Sequence, residues 1–141
     1  MRSDSIKIDI SIPNHTRYLG MIGKIGEDVA RAIKSYPGDR EELAYHINLV
    51  LTEAMSNAIH HANEGDPDKK LRVSIQIDQG VLSIQVHDQG RGFNSDQFPD
   101  PELKHLEEHG RGIYIIRSLM DEVTYQKVST GHVLEMTKTL Y

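Results

Sequence analysis

Residues 71–92 read LRVSIQIDQGVLSIQVHDQGRG, and their pattern decides the fold class. Leu71, Val73, Ile75 and Ile77 alternate with polar residues, the period of a strand buried on one face. Asp78-Gln79-Gly80 is a turn signal, after which Leu82, Ile84 and Val86 resume the alternation. Two such runs joined this tightly read as an antiparallel hairpin. Asp88 shares parity with Leu82, Ile84 and Val86, so a regular strand turns its carboxylate toward the buried side. A buried charge without a partner is expensive, and position 88 therefore calls for an explanation.

Upstream, Ile6, Ile8, Ile10 and Ile12 alternate with Lys7, Asp9 and Ser11, which predicts another strand ending at Pro13-Asn14. Tyr18, Ile22, Ile25, Val29, Ile33 and Tyr36 recur at helical steps, predicting an amphipathic helix up to Pro37-Gly38. Asp39 is an N-cap for a second helix, with Glu41 and Glu42 at the positive end of its dipole. Leu43, Ile47, Val50, Ala54 and Ala58 form its apolar stripe, and a stop is expected around Asn63 to Pro67. Downstream, residues 89–109 are polar and irregular, a length more typical of a functional lid than of a connector. A third helix is expected just after Gly110-Arg111-Gly112, followed by strands over 123–128 and 133–140. The order β-α-α-β-β-α-β-β has hairpins where parallel crossovers would stand. It predicts a single domain over 1–141 of the α+β class, a two-layer sandwich. Its mixed sheet is mostly antiparallel and carries about three helices on one face.

Composition narrows the function. The chain has 141 residues and a formal net charge of -5, with no lysine or arginine run, which argues against direct nucleic-acid binding. It has no cysteine, which excludes disulfides, thiolate metal sites and a Cys nucleophile. No stretch approaches the roughly 18 apolar residues of a membrane span, so the expectation is a soluble cytoplasmic protein. Residues 105–109 match the His-x-x-Glu-His pattern of inverted zinc peptidases, against a plain reading as polar lid. Only 32 residues follow them, mostly strand-like, which leaves little room for a distal third ligand.

The second helix carries a polar stripe, Glu53, Asn57, His60 and Glu64, beside its apolar one. A solvated face explains such a stripe. Yet Glu53 and Asn57, one turn apart in a run of small residues, also pair a base with a neutral oxygen ligand, a set that suits Mg. For Asp88 three readings stand open: a bend that frees it to water, a turn in which it bonds backbone amides, or acceptance of a hydrogen bond from a ligand such as an adenine amino group. Gly90 and Gly92 let a ligand lie against bare backbone, and Gly110 and Gly112 repeat the device at a helix start suited to phosphate. There is no Gly-x-x-x-x-Gly-Lys-Ser/Thr, so a P-loop is excluded.

The ordered set is more specific than its parts. Glu53 to Ala62 resembles the N-box of the GHKL (Bergerat-type) ATPase superfamily, Asp88 to Phe93 its first glycine box, and Gly110 to Gly112 its second. Within that superfamily the wording Glu-Ala-x-x-Asn-Ala-Ile-x-His-Ala and Gly-Arg-Gly-Ile is most similar to bacterial anti-sigma-factor serine/threonine kinases. The resemblance implies ATP and Mg, with Asn57 ligating the metal and Glu53 orienting or deprotonating the attacking hydroxyl. Asp88 would receive the adenine amino group, and Gly90, Gly92, Gly110, Arg111 and Gly112 would shape the nucleotide pocket under a lid at about 94–109. It further implies a sigma factor or similar regulator as partner and a small antagonist protein phosphorylated on Ser or Thr. It also admits a homodimer. The alternative is a nucleotide-dependent protein-binding switch without kinase activity. His60 departs from the Lys or Arg of relatives, and the late-strand hydroxyl near adenine falls to Thr130 or Thr137.

Overall fold

The computed structural model describes residues 5–90 and 108–141, with backbone alone at 61 and 108–111. Among the described residues five strands form one sheet: β1 (Ile6–Pro13), β2 (Lys70–Asp78), β3 (Val81–Asp88), β4 (Glu122–Val128) and β5 (Gly131–Thr139). Their order is β1-β2-β3-β5-β4, and every described pairing is antiparallel, with none of the mixed character the sequence left room for. The β2–β3 connection is a two-residue hairpin turn with Gln79 and Gly80 both at positive φ, which matches the twist of the flanking strands.

Three described helices, α1 (Leu19–Ala32), α2 (Arg40–Asn57) and α3 (Glu108–Leu119), pack with this sheet. Leu71, Val73, Ile75 and Ile77 of β2, with Leu82, Ile84 and Val86 of β3, are buried, while intervening residues are more open. That alternation buries one sheet face and leaves the other to solvent. The core joins these side chains to Ile22 and Val29 of α1, Ile47, Leu51 and Met55 of α2, and Ile116 of α3. Asp39 caps α2 as expected, its Oδ1 accepting from the amides of Glu41 at 2.9 Å and Glu42 at 3.3 Å.

Two helix boundaries and the winding of one helix end differ from the sequence reading. α1 ends at Ala32 instead of reaching Tyr36, because Ile33 turns extended and buries its side chain, and Pro37 disfavours helix just before it. α2 runs on as a π-helical turn, Ala58–Ala62, which breaks the expected polar stripe: Asn57 is buried, whereas His60 and Glu64 are exposed. α3 begins at Glu108, before the Gly110-Arg111-Gly112 sequence, so those glycines lie inside the helix.

Candidate functional site

Glu53 and Asn57 stand one turn apart on α2, at the end where its regular winding gives way to the π turn. Such local rewinding is frequent at functional positions, since it re-aims side chains without ending the helix. Asn57 is 5% exposed, and its Nδ2 is buried with no hydrogen-bond partner among the described residues. A buried amide nitrogen is normally satisfied, so this donor stands out among the described residues.

Gly112 of α3 closes on the same pair. A Cβ at Gly112 would stand 2.9 Å from Glu53 Oε2 and 3.2 Å from Asn57 Nδ2. Only glycine lets the α3 backbone approach the carboxylate and amide this closely.

Asp88 ends β3 with its side chain on the helix-covered face, as its parity required, and is 3% exposed. Its Oδ1 accepts from the Gly90 amide at 3.0 Å, so the turn reading of the sequence is realised in part. Its Oδ2 accepts from the Tyr125 hydroxyl at 3.1 Å, and His132 Nδ1 lies 3.7 Å from Oδ1. Burial pushes the Asp88 carboxyl above its ordinary value, opposed in part by the Gly90 amide, the Tyr125 hydroxyl and His132. An ionised carboxylate has about four acceptor positions, so these contacts leave room for a further donor.

The Asp88 turn is fastened to the end of α2. A Cβ at Gly90 would fall 1.6 Å from the Ala62 carbonyl oxygen, a distance no side chain tolerates. Asn63 accepts from the Gln89 amide at 2.9 Å and donates to Asn14 Oδ1 at 2.9 Å, while Gln89 Oε1 accepts from the Lys70 amide at 2.8 Å. The buried Asn63 thereby ties the π turn, β1, β2 and the Asp88 turn into one unit.

The described residues thus set a buried carboxylate with open acceptor capacity at the end of β3, and a carboxylate and amide under a close-packed helix on α2. The Histidine kinase-like ATPase domain model matches residues 18–138. The chain belongs to that family.

Among relatives of this histidine kinase-like ATPase domain, "Serine-protein kinase RsbW" of Bacillus subtilis (strain 168) is 29% identical over 99% of this chain and 89% of its own length. "Anti-sigma F factor" of Bacillus cytotoxicus is 33% identical over 79% of this chain and 80% of its own length. Among solved structures, the histidine kinase domain of the Erythrobacter litoralis EL346 blue-light activated histidine kinase superposes with a TM-score of 0.57 at 22% identity. That match covers 92% of this chain and 62% of that one. The mycobacterial sensor histidine kinase MprB gives a TM-score of 0.54 at 15% identity, covering 93% and 97%. Both likenesses show the shared fold.

Within this ATPase domain the structure brings Glu53, Asn57 and Gly112 together, and Asp88 with Gly90. Gly110 and Arg111 lie in the first turn of α3. Gly92, Arg91, nearly all of the expected lid and His105 of the zinc-like pattern lie outside the described residues. Thr137 shares strand parity with Glu135, opposite to buried Leu134 and Met136, so it is on the far face from Asp88. Thr130, in the β4–β5 turn, lines a cleft of about 220 Å³ with Ser11, Arg72 and His87 of the open sheet face, so the structure does not bring its side chain to the Asp88 carboxylate.

Sequence reasoning missed Tyr125, His132 and Asn63. The parity of His132 with Leu134 and Met136, and of Tyr125 with Val123, carried the signal that both face inward. The strand register that sets Asp88 opposite His132 was needed to see that they meet.

Proposed function

We propose that this chain is a Mg-ATP-dependent serine/threonine protein kinase of the anti-sigma-factor type. It phosphorylates a small antagonist protein and alternately holds a sigma factor or similar regulator. One observation carries the catalytic part: Glu53 stands beside the unpartnered amide of Asn57, both under Gly112. A protein that only binds nucleotide has no need of a carboxylate base at the phosphate end. The kinase and anti-sigma-factor names of relatives at 29% and 33% identity support the same reading.

The residues fit Mg. Asn57 offers a neutral amide oxygen, a hard donor of the kind Mg prefers, with Glu53 one turn away as the base. A divalent cation bound there supplies charge neutralisation on the phosphate oxygens. Glu53 accepts the proton of the attacking serine or threonine hydroxyl. Asp88 accepts the exocyclic amine of adenine. Gly90, Gly92, Gly110, Arg111 and Gly112 shape the nucleotide pocket, and α3, starting at Glu108, takes residues 108 and 109 out of the expected lid. A partner that acts on transcription implies work in the cytoplasm.

A homodimer fits the β1 edge. Among the described residues β1 ends the sheet, and its helix-side Ile6, Ile8 and Ile10 are only partly buried. Paired antiparallel with its own copy about Ile8, β1 sets Lys7 opposite Asp9 twice and Ile6 opposite Ile10. A shift of two residues in either direction sets Lys7 against Lys7 or Asp9 against Asp9, which is unfavourable.

The test is transfer of labelled γ-phosphate from Mg-ATP to a candidate antagonist protein. Wild type transfers label, and Glu53→Gln lowers the rate about 10²–10⁴-fold with ATP affinity kept. Tight ATP binding by wild type without any transfer would leave the nucleotide-dependent switch in its place.

A further inference from the structure

Two buried side-chain nitrogens lack a hydrogen-bond partner among the described residues, Asn57 Nδ2 and His132 Nδ1. The first belongs to the phosphate end. The second has no assigned purpose, and it lies beside the group proposed to receive the base.

β3 and β5 pair so that Asp88 and His132 are directly opposite. The Tyr125 ring stacks on the His132 ring, with centroids 5.0 Å apart and planes 4° from parallel, which fixes the imidazole in orientation. Tyr125 also donates to Asp88 Oδ2, so one residue positions both of the others. His132 Nδ1 is 3.7 Å from Asp88 Oδ1, too far for a hydrogen bond but close enough for the carboxylate to favour the tautomer with hydrogen on Nδ1. The end of the sheet therefore presents a fixed acceptor and a fixed donor side by side, with the donor unspent.

We propose that His132 is the second base-reading residue, its Nδ1–H donating to N1 of adenine while Asp88 accepts from the neighbouring 6-amino group. The inference rests on the proposal that ATP binds with its base at Asp88. Adenine carries a donor and an acceptor adjacent on that edge, the complement of Asp88 and His132. Guanine carries the reverse, a carbonyl at position 6 and N–H at position 1, and meets a mismatch at each. An unmatched polar group in a closed pocket discriminates far better than shape alone.

The experiment compares binding of ATP, 1-deaza-ATP and purine riboside triphosphate to the full chain by calorimetry. The second nucleotide lacks the N1 acceptor, and the third lacks the 6-amino group. Wild type is expected to bind each analogue about tenfold or more weakly than ATP. His132→Phe keeps a ring to stack on Tyr125 and removes the N–H. In that variant ATP and 1-deaza-ATP bind equally, while the purine riboside penalty persists. Equal binding of ATP and 1-deaza-ATP by wild type, with purine riboside triphosphate still rejected, overturns the role of His132 and leaves Asp88 standing. Indifference of wild type to the 6-amino group overturns the Asp88 reading and this inference with it. Both of these outcomes are measured on wild type, so a poorly folded variant does not affect them.

Discussion

Gly112 faces Glu53 across the α2–α3 contact so closely that a single methyl group at position 112 would lie 2.9 Å from the Glu53 carboxylate. The atom it meets is the far end of a flexible side chain, so Glu53 moves and the fold accommodates it. Gly112→Ala also replaces a helical glycine, which favours α3 by up to about 1 kcal/mol. Displacing Glu53, the proposed base, is expected to lower phosphoryl transfer about 10²-fold. Melting temperature is expected to hold or rise while kcat falls. Loss of both together would show that Gly112 serves packing alone.

Gly90 tests the opposite case. Its would-be Cβ meets the backbone carbonyl of Ala62, which cannot rotate away. Gly90→Ala is expected to cost about 3 kcal/mol in urea unfolding, at the upper end for overpacking. Asn63→Ala, which strips the Gln89 amide of its acceptor, is expected to cost about 1–3 kcal/mol.

Asp88 gives a pH prediction. Burial holds its carboxyl above the ordinary 3.8, so the folded chain keeps this proton more readily than the unfolded one. Its contribution to stability is therefore full below that ordinary value and is lost as pH rises through the raised one. Asp88→Asn removes the charge and keeps the shape. The variant should melt higher than wild type at neutral pH, with the difference closing in the acid range, while its discrimination between ATP and purine riboside triphosphate weakens, since one amide oxygen remains as acceptor. A variant less stable than wild type at neutral pH would show that the contacts from Gly90, Tyr125 and His132 outweigh the burial of the charge.

The β1 edge can be probed by crosslinking, because the chain contains no cysteine. Residues directly opposite in an antiparallel pair stand about 4.5–5.5 Å apart at Cα, within disulfide reach. Under mild oxidation Ile8→Cys should give a covalent dimer. Thr124→Cys, on the β4 edge at the other end of the sheet, should stay monomeric. The reverse pattern would move the seam to β4.

Much of this architecture is legible in the sequence because strand alternation is a local signal. Ile75 and Ile77 announce the buried face of β2, and the parity of Asp88 with Val86 turns its carboxylate inward. Glu53 and Asn57 were legible from helical spacing for the same reason. Periodicity is blind to what comes from elsewhere in the chain. Tyr125 and His132 reach Asp88 only through the β3–β5–β4 order, which no local pattern encodes. The π turn after Asn57 and the early start of α3 are likewise products of packing: the first seats the Gly90 turn on Ala62, the second brings Gly112 to Glu53.

Nucleotide binding with and without Mg, on wild type and on Asn57→Ala, tests most directly whether the buried amide at position 57 anchors the metal. Mg is expected to tighten ATP binding to wild type about tenfold or more and to leave the variant unchanged. An equal Mg-dependent gain in both proteins would contradict a metal site at Asn57.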